Sequence, residues 1–228
     1  MGSLPAGGHV TMALLGANIA MFIMQWLVPE LTMAGAKVAP AIFQQGQFYR
    51  LLTPIFLHGS VSHLLMNCLS LYNIGPAVES YFGSSRMLLV YVLSGVAGNV
   101  ASCLYSPQTV GIGASGAVFG MMGAFGMFLY SNQRVLGGGS RRALGSIGRV
   151  VLINAAFGLS TRGIDNLAHA GGFVGGALMA ALVGPRLRMV WSPLAGRAVL
   201  QDRPPLSLAA VRRGWRRLAS GDDDRRQL

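Results

Sequence analysis

The sequence predicts an all-α, polytopic membrane protein with six transmembrane helices, and three observations carry that prediction. Charged residues make up 11% of the 228 positions, where a soluble domain carries about 25%. Apolar residues reach 52% and mean hydropathy is +0.50, which excludes disorder and leaves too little polar surface for water. Finally, apolar runs with few charges recur at close to the ~20 residues that a ~30 Å hydrocarbon core requires.

Five of these runs are clear: Val10 to Val28, Pro54 to Ile74, Met87 to Tyr105, Gly111 to Tyr130 and Ile164 to Gly184. A shorter sixth, Ile147 to Ser160, carries Arg149 near its start, where a long side chain can reach the headgroups. The first run is expected to stay in the mature chain, because no Lys or Arg precedes it and no clear small-residue cleavage site follows. Between the first two runs, about Pro29 to Thr53, Gln44, Gln45, Gln47, Tyr49 and Arg50 stand among apolar residues, a mixture suited to the bilayer interface. The expected organisation is a short cytoplasmic N-terminus at residues 1–9, a six-helix membrane domain at 10–184 and a basic cytoplasmic tail at 185–228. Within the tail, Ala209 to Ala219 reads as a short basic amphipathic helix with Trp215, lying near anionic lipid.

The net charge of +11 would suggest a nucleic-acid partner in a soluble protein, but ten of the eighteen basic residues follow position 185. No continuous basic face results, and nucleic acid is not expected as a partner. With six spans, fifteen basic residues fall on the side of both termini and three, Lys37, Arg50 and Arg162, on the other. This bias puts the termini in the cytoplasm. An Arg-, Ala- and Gly-rich composition points to a bacterial inner membrane. Cys68 and Cys103 lie in apolar runs with no disulfide or metal spacing and read as small buried hydrophobes.

Polar groups inside spans are costly and become functional candidates by default. They are His58, His63 and Asn67 in the second span, Ser115 in the fourth, and Asp165, Asn166 and His169 opening the sixth; His9 precedes the first span and reads as exposed. The second, fourth and sixth spans run in the same direction, so Ser115 and His169, each about one turn into its helix, share a depth near the outer face. Ser115 sits in Gly113-Ala114-Ser115-Gly116, followed by Gly120 and Gly123, and the last span offers Ala168, Gly172, Gly176 and Ala180. Small residues at this spacing explain close helix packing. They do not explain an imidazole beside the ridge, whereas a serine nucleophile needs one. His63 and Asn67, four residues apart, share a helix face; they either bond across the bundle or donate to an oxyanion together with backbone N–H groups at the start of the fourth helix. His58 is assigned to structural hydrogen bonding. Asp165 lies four residues before His169 and is read as a solvated or helix-capping carboxylate rather than a triad member.

At these residues the sequence resembles the rhomboid family of intramembrane serine proteases. His58, His63 and Asn67 are similar to its His-x4-His-x3-Asn motif, Gly113 to Gly116 to its Gly-x-Ser-Gly, and Ala168 to Gly172 to its Ala-His-x-Gly-Gly. The resemblance implies a rhomboid-like bundle with a Ser115–His169 dyad. It also implies an oxyanion site of His63, Asn67 and the backbone at Gly113 and Ser115. It further implies an interfacial outer loop in which Tyr49-Arg50 replaces the more familiar Trp-Arg, and a structural role for Glu79. The family's inactive members lose the serine or the histidine, and this chain has both. The extra N-terminal domain and seventh span of some members are not expected. The activity so implied is endoproteolysis of transmembrane protein substrates near the outer face of the bilayer, with membrane lipids around it and neither cofactor nor metal. Two rivals are a haem or metal protein, disfavoured by the thin acidic inventory and the lack of His-Glu-x-x-His, and a non-enzymatic binder of transmembrane clients, disfavoured by the retained Ser115 and His169.

Overall fold

The structure, a computed structural model, describes residues 8–161, 163–193 and 196–206. Six long helices carry the fold: α1 His9–Leu27, α4 Val61–Phe82, α5 Ser84–Tyr105, α6 Ser115–Ser131, α8 Gly138–Ser160 and α9 Asn166–Val183. Three short ones connect them: α2 Glu30–Gly35, α3 Ala39–Phe43 and α7 Gln133–Leu136. Four of the long helices, α1, α5, α8 and α9, are long and apolar enough to cross a membrane; α6, with 17 residues, is shorter. Helix α4 has the length, at 22 residues, but its sequence is diluted by His63, Asn67, Asn73 and Glu79. Large apolar side chains cover the outside of the bundle, among them Ile23 and Trp26 on α1, Leu69 on α4, Leu152 and Phe157 on α8, and Leu178 on α9. Such a surface belongs in lipid, and the protein is an integral, polytopic, helical membrane protein.

The bundle is built around α6, which packs on α5 and α9 and buries every residue from Gly116 to Ala124. Helix α1 sits against α4, where buried Glu79 accepts hydrogen bonds from Val10 N (3.0 Å), Thr11 N (2.9 Å), Thr11 Oγ1 (2.9 Å) and Ser84 Oγ (2.8 Å). A carboxylate thus satisfies the open N–H groups at the start of α1. The outermost long helix is α8: only Ser140 and Gly158 are buried along it.

Several boundaries differ from the sequence reading. The second span begins at Val61 rather than Pro54, because residues 53–56 form a 3-10 turn and Ser60 caps the helix by accepting from His63 N at 3.1 Å. It then runs through Gly75 and Pro76 to Phe82, stopping at Gly83 with φ 76°. Residues 111–114 are irregular, so Ser115 is the first residue of its helix instead of lying one turn in. The short run Ile147 to Ser160 belongs to a full 23-residue helix, extended toward the N-terminus by Gly138 to Ser146. The interfacial segment is ordered as α2, α3 and two 3-10 turns.

The start of the tail also departs from expectation. Two antiparallel strands, β1 Leu187–Ser192 and β2 Arg197–Asp202, form a hairpin with Met189 opposite Leu200. Met189 to Trp191 and Ala198 to Leu200 are consecutive apolar residues, so no period of two marks either strand in the sequence. Asn132 seats the hairpin by donating to Pro185 O (3.0 Å) and accepting from Leu187 N (2.7 Å), and Arg86 pairs with Asp202 at 2.6 Å. Arg162 and the amphipathic stretch at Ala209 to Ala219 lie outside the described residues.

The charge bias and the helix ends together give a topological prediction. With Cys68 and Cys103 replaced, a Gln108→Cys chain should react with an impermeant thiol reagent from outside intact cells and a Gly139→Cys chain only after permeabilisation. Reaction of both from one side contradicts the six-span arrangement.

Candidate active site

Two helix starts define the site. The chain enters α6 through Gly111 to Ala114, and Gly113 adopts φ +129°, a conformation open to glycine. Its N–H donates to Pro54 O at 2.8 Å, and a Cβ on it would stand 2.7 Å from the His63 ring. Gly113 therefore contributes room for His63, and its amide is committed to the loop. Ser115 follows as the first helical residue, so its N–H belongs to the first turn that has no intrahelical acceptor. On the other side, Asp165 caps α9 by accepting from Ala168 N at 2.9 Å. His169 lies one turn further, as the sequence reading has it.

What joins these two helix starts is backbone contact. A Cβ on Gly172 would lie 2.1 Å from Gly116 O, and one on Gly176 would lie 1.8 Å from Gly120 O. No side chain fits between α6 and α9 at these levels, and the two helices meet through their main chains. Ser115 Oγ and His169 Nε2 are consequently 2.8 Å apart, a hydrogen-bonding distance across 54 residues of sequence. Phe119, one turn below Ser115, stacks on the imidazole with ring centroids 4.4 Å apart and planes 7° from parallel. The stack fixes the ring plane. Sequence reasoning missed Phe119, although its i+4 spacing from Ser115 on the same helix face was a usable signal.

His169 Nδ1 is buried and has no hydrogen-bond partner among the described residues. Asp165 does not reach it: Oδ1 takes the Ala168 amide, and Oδ2 faces Lys37 at 3.2 Å and Ser102. The capping half of the sequence reading for Asp165 agrees with the structure, while the solvated half gives way to this internal pairing.

His63 and Asn67 occupy the first turns of α4, and Asn67 Nδ2 donates to His63 O at 3.1 Å. Both side chains lie beside Gly113: a Cβ there would stand 2.7 Å from the His63 ring and 3.8 Å from Asn67 Nδ2. The two side chains thus converge on the loop that delivers Ser115. His58 differs from its assignment. Its ring nitrogens have no partner among the described residues, and only its backbone is bonded, to Gln25 at 3.0 and 3.2 Å. The ring meets His63 edge-on at 5.2 Å. Among the described residues, no three of His, Cys, Asp and Glu come together as a metal site requires. An apolar cavity of about 360 Å³ opens beside His169, between Val151 and Ala155 of α8 and Ala170 and Phe173 of α9.

Comparison with known proteins identifies the family. The rhomboid domain model matches residues 45–186, more than half the chain. Rhomboid protease GluP of Bacillus subtilis is 42% identical over 151 residues, covering 66% of this chain and 29% of that one. RHOMBOID-like protein 4 of Arabidopsis thaliana is 37% identical over 149 residues, 65% of this chain and 37% of that one. YdcA of Bacillus subtilis is 36% identical over 139 residues, 60% of this chain and 68% of that one. The chain thus spans about a third of the length of the first two relatives. Motif order, the meeting of two helix starts and these matches lead to one conclusion: the chain belongs to the rhomboid family.

Proposed function

We propose that this protein is an intramembrane serine endopeptidase that cleaves transmembrane segments of other membrane proteins near the outer face of the bilayer. The observation that carries the reading is the 2.8 Å contact between Ser115 Oγ and His169 Nε2. For His169 to act as base, Nε2 must be the acceptor and the ring proton must sit on Nδ1. Ser115 Oγ then attacks a substrate carbonyl while its proton passes to Nε2. The oxyanion forms where the Ser115 N–H, His63 and Asn67 converge, and the imidazolium next protonates the leaving amine. Water, activated by the same nitrogen, hydrolyses the acyl-enzyme and regenerates the serine. Among the described residues no carboxylate reaches the ring; stacking on Phe119 orients it instead.

A helical substrate hides its carbonyls in i→i−4 hydrogen bonds, so the segment must unwind before attack. Residues that weaken helices, such as Gly and Pro, are therefore favoured near the cut. In this reading residues 10–184 form the protease domain, all six long helices cross the bilayer, and both termini are cytoplasmic, in a bacterial inner membrane. Its partners are transmembrane substrates and the surrounding lipid.

The test is cleavage of a transmembrane substrate in liposomes, read beside covalent labelling by a fluorophosphonate. Ser115→Ala and His169→Ala should abolish turnover, with losses on the order of 10⁶. Asn67→Ala and His63→Ala remove one oxyanion donor each and should cost about 10² to 10³. Phe119→Leu frees the imidazole to tilt and should slow labelling about tenfold to a hundredfold, the scale of a small misplacement. Cleavage by Ser115→Ala at the native rate ends the serine-protease reading.

A further inference from the structure

Lys37 is the single lysine of the sequence, and it is fully buried. It lies between α2 and α3, in the segment expected at the membrane interface. Burying an ammonium is expensive unless it is paired and hydrogen-bonded. Here Nζ lies 3.2 Å from Asp165 Oδ2 and donates to Ser102 Oγ, which in turn donates to the same carboxylate oxygen. Lys37 and Ser102 are both inaccessible, so the pair is closed to substrate and offers no second nucleophile.

The main chain of Lys37 makes a separate attachment. Its N–H donates to Gly111 O at 2.8 Å and its carbonyl accepts from Gly111 N at 3.1 Å, an isolated antiparallel bridge. A Cβ at Gly111 would meet Lys37 Cε at 3.1 Å, so the lysine stem lies flat on the glycine. Gly111 begins the irregular stretch that delivers Ser115, four residues on, and Asp165 caps the helix that delivers His169, also four residues on. One residue therefore holds the serine approach with its backbone and the histidine approach with its side chain, while touching neither reacting group.

We propose that Lys37 is a positioning residue that sets the separation of Ser115 and His169 by tying Gly111 to Asp165. The proposal rests on the dyad reading given above. A buried ion pair is weak evidence for stability, since apolar replacements are often tolerated. A misplacement of about 1 Å at a reacting pair costs about a hundredfold in rate. The geometry of the tie therefore bears on rate more than on folding.

The experiment uses the full chain in liposomes and compares Lys37→Met, Asp165→Asn and the double variant; asparagine keeps the helix cap. For each, the fluorophosphonate labelling rate of Ser115, kcat and KM are measured below the melting temperature. The single variants are expected to lower labelling rate and kcat about tenfold to a hundredfold with KM within about twofold. The double variant, which leaves no buried charge unpaired, should regain thermal stability without regaining rate, and it keeps the test usable if a single variant does not fold. Native labelling rates in the double variant, or rates that return with stability, overturn the proposal. Failure of the native protein to label at Ser115 overturns the dyad reading and the proposal with it, whereas native labelling with undiminished variants removes Lys37 alone.

Discussion

The close main-chain approach of α6 and α9 is the constraint on which the rest depends. Gly116 and Gly120 present carbonyl oxygens to Gly172 and Gly176 at distances that exclude any Cβ. In lipid, where apolar side chains gain nothing by leaving the solvent, such packing has to come from shape and dispersion, and glycine permits the nearest contact. The same approach aligns the two helix starts. Ser115 at the first position of one and His169 one turn into the other then meet without a long side chain to bridge them.

Around that contact the structure uses turns and caps to aim the polar groups. Ser60 and Asp165 accept N–H groups at the starts of α4 and α9, and Gly113 makes room for His63. These starts lie toward one end of the bundle, and the polar groups cluster there. At the other end, Glu79 does the analogous work for α1, and the hairpin β1–β2 is seated by Asn132 and Arg86. The core between them is mostly apolar, and its buried polar side chains are bonded internally, Asn18 to Tyr91 and Ser94 to the main-chain oxygens of Tyr91 and Ala117.

Much of this was legible in the amino-acid sequence because it is local. Apolar runs reveal helices of membrane length, and small residues four apart reveal the faces that touch. Ser115 and His169 stand out because an ionisable or nucleophilic group in such a run needs a reason. Other tertiary relations were not legible. Lys37 reads as an outer-loop charge until Asp165, 128 residues away, appears beside it. Gly113 reads as an oxyanion donor until its amide is found on Pro54. The start of α4 was misread because Pro54 to Leu57 are apolar enough for a span although their backbone turns as a 3-10 helix. The strands β1 and β2 were missed as well, because their apolar residues run consecutively and show no alternation.

The account makes the α6–α9 spacing the determinant of reactivity, and that is open to direct measurement. Gly176 lies two turns from His169 and contacts no polar group of the site, yet a methyl there meets Gly120 O at 1.8 Å. Gly176→Ala should push the helices apart, lower the unfolding free energy by about 1–3 kcal/mol and slow fluorophosphonate labelling of Ser115 at temperatures where the protein is still folded. A Gly176→Ala protein with native stability and a native labelling rate would contradict it.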